Sequence, residues 1–491
     1  MPLVMGVDSS TQATKVEVRE ADSGELLASG AASHPPTTPP RSEQHPEQWW
    51  TALVDAIGMA RNRLSAGDRA GIAAIAVAAQ QHGMVALDRH LGVIRPAKLW
   101  NDTESAPDAA RLVEDLGGGG RGRRAWAEAC GSVPTAAFTV TKLAWLRRSE
   151  PDAFGALAHV LLPHDWLTAR LAGELVTDRG DASGTGYWSP ATGRWRTDLL
   201  ARVDRNRPWD EMLPRVLGPS DPAGHLVPAS ASELGLDDRV VVAAGTGDNM
   251  AAALGLGSPP AVVFSIGTSG TVYTVSDRPA ADPSGAVAGF ADATGRFLPL
   301  VCTLNATKVT DAFARLLGVD HPTLSELALT APAGAGGVVL VPYLDGERTP
   351  NRPEATGSLV GLRSHVSPAQ VARAAFEGVV CGLLDGLDAL SAAGVPTSPQ
   401  RAILVGGGAR SPAYRRVLAD LSQRTVEVPA DDEQVAMGAC VQAAAALAGR
   451  SPAEVASQWA RPPAAVVDPG PAVDAAAVRG AYAAASGGQS R

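Results

Sequence analysis

"LVMGVDSSTQATKVEV", residues 3–18, and "AVVFSIGTSGTVYTV", residues 261–275, are built to one plan. Each opens as an apolar strand, narrows to a tip of small polar residues, and resumes as a β-branched strand. Gly, Ser and Thr at a tight turn leave backbone N–H groups free beside hydroxyls, and such a concavity suits an anion, phosphate above all. One copy alone reads equally well as an ordinary hairpin turn. Two copies about 260 residues apart, one of them holding an aspartate, point to two similar domains that each meet a phosphate.

Composition limits the alternatives. A chain of 491 residues, 45% apolar and 19% charged, can bury two or three sizeable cores. Its net charge of −9 offers no basic field for a nucleic acid. The four cysteines, at 130, 302, 381 and 440, form no CxxC pair, which argues against a zinc site or a disulfide framework and suits a reducing compartment. The opening residues lack a basic n-region, and no apolar run reaches the roughly 18 residues of a membrane span. The reading is a soluble cytoplasmic protein with no membrane partner.

Strand-like and helix-like runs alternate along the chain, the pattern of an α/β protein. Residues 45–64, "HPEQWWTALVDAIGMARNRL", read as a helix with Pro46 in its first turn, and "GIAAIAVAAQ", 71–80, as the buried strand after it. Residues 117–122, "GGGGRG", read as a flexible surface loop. The stretch 177–195 reads as irregular, and the Pro-, Ala- and Gly-rich tail beyond Arg461 as a loose wrap. A third glycine cluster lies in "RAILVGGGARSPAYRRVLADL", 401–421: strand, three glycines, then a helix led by Ser411 and Pro412. Glycines at such a turn let an anionic ligand touch backbone near a helix N-terminus. Neither a dinucleotide fingerprint nor a GxxxxGK[ST] loop is present.

Phosphoryl transfer needs cradled phosphates, a metal held near carboxylates and a group to orient or deprotonate the acceptor hydroxyl. Asp8 sits at the first hairpin's tip, where it could hold a metal through water or cap the turn. Asp248, in "AAGTGDNMAAALGLG", follows a strand and two glycines; it reads as a cleft base or as an N-cap. Gln80, Gln81 and His82 lie just past an apolar strand and suit a sugar's hydroxyls, although a lone histidine is also an ordinary structural residue. Trp100, with Asn101 and Asp102, offers an apolar platform for a sugar face, or a core residue.

These motifs resemble the FGGY family of carbohydrate kinases, and within it the xylulokinase branch. "GSLVGLRSHVSPAQVARAAFEG", 357–378, matches the family's C-terminal signature, and "FTVTKLAWL", 138–146, its N-terminal one. "LWND", "GTGDN", "SIGTSG", "PYLDGERTP" and "LVGGGARS" are worded like that branch. The resemblance implies two ribonuclease-H-like, actin/hexokinase-type domains around a central cleft: 1–242 for the sugar and the first phosphate loop, 243–491 for ATP and the catalytic aspartate. It also implies roles. Asp248 would be the base, and Asp8, through water, would serve Mg²⁺ together with Asp248. Gln81, His82, Trp100, Asn101, Asp102 and Asn249 would line the sugar site. Thr11, Gln12 and Lys15 would form the first phosphate loop, Gly267, Thr268 and Ser269 the second, and Gly407 and Gly408 the adenosine turn.

The expected reaction is ATP-dependent phosphorylation of the terminal hydroxyl of a ketopentose, D-xylulose in the first place. ATP and a small sugar are the expected partners, and a homodimer is left open. Gln81 stands where the branch commonly has Met, and Glu104 where it has Arg, so ribulose, arabitol or glycerol are rival substrates. An actin-like ATPase would share the phosphate hairpins but need no sugar site. A non-catalytic sugar-binding regulator would be expected to lack one of the two acids.

Overall fold

The computed structural model of the chain describes residues 1–397 and 400–487. It divides into two compact units. One comprises Met1–Pro259, Asp277–Leu298 and Glu433–Ala460; the other comprises Pro260–Ser276, Pro299–Asp432 and the residues from Arg461 on. Both are α/β. In the first, the hairpin is formed by Leu3–Ser9 and Ala13–Glu20, with Leu26–Ser33 beside it, all antiparallel. On its other side Leu3–Ser9 pairs in parallel with Ile72–Ala79, which in turn pairs in parallel with Val241–Ala243. Pro222–His225 adds an antiparallel edge.

The second unit repeats this order. Its hairpin is Val262–Ile266 and Gly270–Tyr273, extended by the end of Phe297–Thr303. Parallel strands Arg401–Val405 and Thr425–Val428 follow, with Ala465–Val467 as the antiparallel edge. Three antiparallel strands followed by two parallel ones is the ribonuclease-H-like order. Its double occurrence accounts for the matching hairpins in the sequence.

Every residue of Leu3–Ser9 is buried, so helices must cover both of its faces. Helix Pro46–Asn62 covers one: Trp49, Trp50, Leu53 and Ile57 join Met5, Val7, Val16 and Val18 in a single core. Helix Gln434–Ala448 covers the other, against Gly6, where an added Cβ would lie 2.1 Å from the Ala436 carbonyl oxygen. A second helix, Asp248–Gly255, packs on Gln434–Ala448 just as closely. A Cβ on Gly438 would lie 1.9 Å from the oxygen of Ala251, and one on Gly255 would lie 2.1 Å from that of Gln434.

Three expectations change. The boundary expected at 242/243 lies inside the first unit's sheet, because Val241–Ala243 and Thr246–Gly247 both pair with Ile72–Ala79. Asp248 therefore belongs to the first unit. Residues 117–122 are no loop: helix Gly119–Cys130 begins within them, and Gly122 presses on Val113, whose oxygen leaves no room for a Cβ. The tail does not wrap loosely, since Ala465–Val467 completes a sheet and helix Ala475–Gly487 buries Tyr482.

The backbone contact at Gly438 makes a direct test. Gly438→Ala must separate the two helices and is expected to lower stability by about 1–3 kcal/mol, read as a lower urea midpoint.

Candidate active site

Asp8 lies near the end of the first strand, opposite Lys15 across the hairpin and beside Ala78 in the parallel pair. It is 5% exposed, and its Oδ1 has no hydrogen-bond partner in the protein. Loss of water pushes its pKa up to about 7, against the pull of Lys15 and with a smaller push from Glu433. Lys15 Nζ lies 2.9 and 2.7 Å from the two oxygens of Glu433. Burial lowers the lysine's pKa, but Glu433, Asp8 and Glu17 together outweigh it and the pKa rises.

Asp248 is the first residue of its helix, and Gly247 holds the N-cap position. Its Oδ1 accepts from the Asn249 backbone N–H at 2.8 Å and from Asn249 Nδ2 at 2.9 Å, so Oδ2 remains to accept a proton. The residue is half-buried. Desolvation first, then the charges of Asp8 and Asp181, push its pKa up to about 7, over the opposing bonds from Asn249. Two carboxylates thus sit in one environment that disfavours charging both.

Polar groups with unused capacity surround them. Asn249 Nδ2 also donates to Gln81 Oε1 at 2.9 Å, while Gln81 Nε2 has no partner. Gln80 Oε1 accepts from Thr11 Oγ1 at 3.0 Å, and Gln80 Nε2 is likewise unpaired. Trp100 Nε1 donates to Thr11 Oγ1 at 2.9 Å, which fixes the indole, and the neighbouring Asn101 has an unpaired Oδ1. Buried polar atoms without partners are uncommon in native proteins. Asp8, Gln80, Gln81 and Asn101 supply both donors and acceptors, the complement a polyhydroxylated ligand needs.

His82 has φ +66, a left-handed conformation that a non-glycine residue adopts only when its surroundings enforce it. They do. Its Nδ1 lies 2.6 Å from the Gly184 carbonyl, which makes Nδ1–H the donor and fixes the ring. Its ring lies 4.8 Å from that of Phe138 and 5.6 Å from that of Phe290.

Asp102 stands apart from the expected sugar lining. It is fully buried, its Oδ2 takes the Lys98 ammonium at 2.7 Å and the Ser42 N–H at 2.9 Å, and its Oδ1 takes the Glu104 N–H at 3.1 Å. Its oxygens are spent on shaping the turn that presents Trp100 and Asn101. Glu104 completes the same cluster at 2.7 Å from Lys98 and reaches Arg41. An acid at 104 is therefore explained by its lysine rather than by a ligand.

The sequence reading missed the short helix Arg179–Ser183 and the acids around it. Asp178 caps that helix and accepts Thr246 Oγ1 at 2.7 Å, and Asp181 meets His164 Nδ1 at 2.7 Å. The available signal was two aspartates spaced as cap and third residue in "TDRGDAS".

In the second unit, the tip Gly267–Ser269 closes with a 3.0 Å bond from Gly267 N–H to the Ser269 oxygen, and Thr268 is exposed. The turn Gly406–Gly408 packs directly beside it. A Cβ on Gly408 would lie 2.4 Å from Ile266 Cγ2, whereas Gly407 faces open space. Gly407 and Gly408 line a cavity of about 480 Å³ together with Thr310, Ser325, Phe376 and Tyr414. That volume suits a nucleoside. In the first unit, the tip residue Gln12 is exposed and Thr11 is half-buried.

Residues 3–255 match the N-terminal domain of the FGGY family of carbohydrate kinases, and residues 262–447 match its C-terminal domain. The chain belongs to that family and is a sugar kinase that uses ATP. It is 48% identical over 460 residues to the xylulose kinase of Streptomyces rubiginosus, covering 93% of this chain and 91% of that one. The crystal structure of xylulose kinase from Bifidobacterium adolescentis aligns with a TM-score of 0.84 at 40% identity, covering 99% of each chain. The glycerol kinase of Plasmodium falciparum with ADP shares the fold, with a TM-score of 0.86 at 18% identity over 100% of this chain and 99% of that one. Among the described residues no helix is long and apolar enough to cross a membrane.

The raised acids make stability depend on pH. The native Asp248 pKa of about 7 lies above its ordinary 3.8, so the native state holds a proton that the unfolded state has released between those values. Stability therefore falls as pH rises from about 4 to 7, and the full penalty is present above 7. Asp248→Asn is expected to raise the melting temperature by several degrees at pH 8 and to have no such effect near pH 4, read by thermal unfolding at both.

Proposed function

We propose that this chain transfers the γ-phosphoryl group of ATP to the terminal hydroxyl of D-xylulose, giving D-xylulose 5-phosphate. The observation that carries the reading is the half-buried Asp248, with its Oδ1 occupied by Asn249 and its Oδ2 available, beside the unpaired Nε2 of Gln81. The 48% identity to a xylulose kinase selects the sugar.

Asp248 is the general base. A carboxyl with a pKa near 7 is well matched to accepting a hydroxyl proton at neutral pH. The proton passes to Oδ2, the sugar oxygen attacks the γ-phosphorus, and the bond to ADP breaks. Gln81 and Asn249 hold the sugar's hydroxyls, and Asn101 accepts from another. His82, its ring fixed through Gly184, is a further sugar ligand, while Trp100 gives the sugar's C–H face a flat surface. Asp102 acts behind them by holding their turn to Lys98.

The bare, buried Oδ1 of Asp8 fits a hydrated Mg²⁺, with Asp248 as the second acid. Such an ion would offset phosphate charge. In the second unit, Gly267, Thr268 and Ser269 would cradle phosphate, and Gly407 and Gly408 would bound the adenosine cavity. In the first, Thr11, Gln12 and Lys15 offer phosphate the same hairpin chemistry, Lys15 by leaving Glu433. The compartment in this reading is the cytoplasm, where cysteine thiols stay reduced.

Gln81 puts an amide at the sugar, which favours a hydroxyl or carbonyl partner there over an apolar wall. The test is ADP release from Mg·ATP across D-xylulose, L-xylulose, D- and L-ribulose, xylitol, arabitol and glycerol. D-Xylulose is expected to give the highest kcat/KM, and Asp248→Ala to lower it by about 10²–10⁴-fold. A higher value for ribulose or a polyol would reassign the substrate. Turnover that ignores every acceptor and survives the mutation would leave an actin-like ATPase.

A further inference from the structure

The proposed mechanism leaves unused a group of buried acids in the first unit, centred on the short helix Arg179–Ser183. Its two ends touch different parts of the candidate site. At the start, Asp178 is 3% exposed and accepts three bonds: the N–H of Gly180 and of Asp181, each at 2.8 Å, and Thr246 Oγ1 at 2.7 Å. Thr246 is fully buried and lies two residues before Asp248. At the end, the Gly184 oxygen receives His82 Nδ1–H at 2.6 Å.

Close packing prevents either end from drifting. A Cβ on Gly180 would lie 2.7 Å from Met250 Cγ and 2.8 Å from Thr246 Oγ1, so the helix is pressed onto the segment that carries Asp248. A Cβ on Gly184 would lie 2.7 Å from His82 Nδ1. In the middle, Asp181 is tied at 2.7 Å to His164, whose ring in turn presses on Gly245, 2.7 Å from where a Cβ would stand. His164 thus packs against the same segment three residues before Asp248. Ser183 Oγ accepts the Ala291 N–H at 3.0 Å and anchors the segment that carries Phe290, which packs on His82.

We propose that helix Arg179–Ser183 is the positioning unit of the reaction: Asp178, through Thr246, sets the reach of Asp248, and Gly184 independently sets the ring of His82. This rests on the assignment of Asp248 as base and His82 as sugar ligand. The two ends act on different constants. Slack at Thr246 acts first on the base two residues further on, while pressure at Gly184 acts first on the ring of the histidine.

The test uses the full chain with Mg·ATP and D-xylulose, with folding checked by thermal unfolding. Thr246→Val, which keeps the shape and removes the donor, is expected to lower kcat about 10- to 100-fold with the sugar KM within twofold. Thr246→Ser restores the donor and is expected to recover most of that loss. Gly184→Ala has a backbone conformation open to alanine, φ −80, and is expected to raise the sugar KM about tenfold with a smaller effect on kcat.

Failure of serine to rescue, or proportionate changes of both constants in both variants, would reduce the helix to general scaffolding and overturn the proposal. So would wild-type kinetics in Thr246→Val. If Thr246→Val does not fold, Gly184→Ala alone decides through its split between KM and kcat. Asp248→Ala, assayed alongside, separates the two levels. Turnover retained there defeats the base assignment; turnover lost there with Thr246→Val unaffected defeats only the positioning role.

Discussion

Placing two carboxylates, Asp8 and Asp248, where water is scarce is the constraint that the first unit is organised around. Each charge is disfavoured by burial, and Asp8 makes the charging of Asp248 harder still. Nothing in such an arrangement is stable by itself. It persists because the surrounding backbone is held rigidly by contacts that have no electrostatic component, and because Lys15 offsets part of the charge on Asp8. The same unfavourable burial gives Asp248 the proton affinity that a base needs at neutral pH.

Those rigid contacts are made by the absence of side chains. Gly6, Gly255 and Gly438 bring strand Leu3–Ser9 and helices Asp248–Gly255 and Gln434–Ala448 into backbone contact. Interfaces this tight fix distances to within a few tenths of an ångström, since any added atom collides with a carbonyl. Asp8 and Asp248 each stand at the end of an element fixed in this way. Larger apolar residues fill the opposite face of the sheet, where Trp49 and Trp50 occupy volume and carry no positional demand from the site.

Much of this was legible in the sequence. Both hairpins show as alternating runs with polar tips because a hairpin is a local structure, and helix Pro46–Asn62 shows through its proline start and apolar stripe. Asp248 was visible as an acid ahead of a small-residue helix. Other features were not. Helix Gln434–Ala448 is buried on nearly all sides, so its pattern carries no stripe to indicate which unit it covers. Asp102 looks like a sugar ligand until the direction of its turn is known, and its lysine, four residues earlier, decides the matter. The aspartates at 178 and 181 sit in a run of turn residues whose meaning depends on Thr246, His164 and His82, far away in the chain.

The helix Gln434–Ala448 lies far along the chain from the strand it covers. As the protein is synthesised, residues 1–259 emerge with the glycine face of Leu3–Ser9 and the small-residue face of Asp248–Gly255 lacking the helix that covers them. At ordinary elongation rates that exposure lasts roughly ten to forty seconds before Glu433–Ala460 is made. The sheet of the second unit, except for its last edge strand, is complete in sequence before the first unit can close. The nascent chain thus holds most of the second unit's sheet before the first unit's core can close, and a ribosome stalled before Gln434 would leave a half-formed core open to chaperones and proteases.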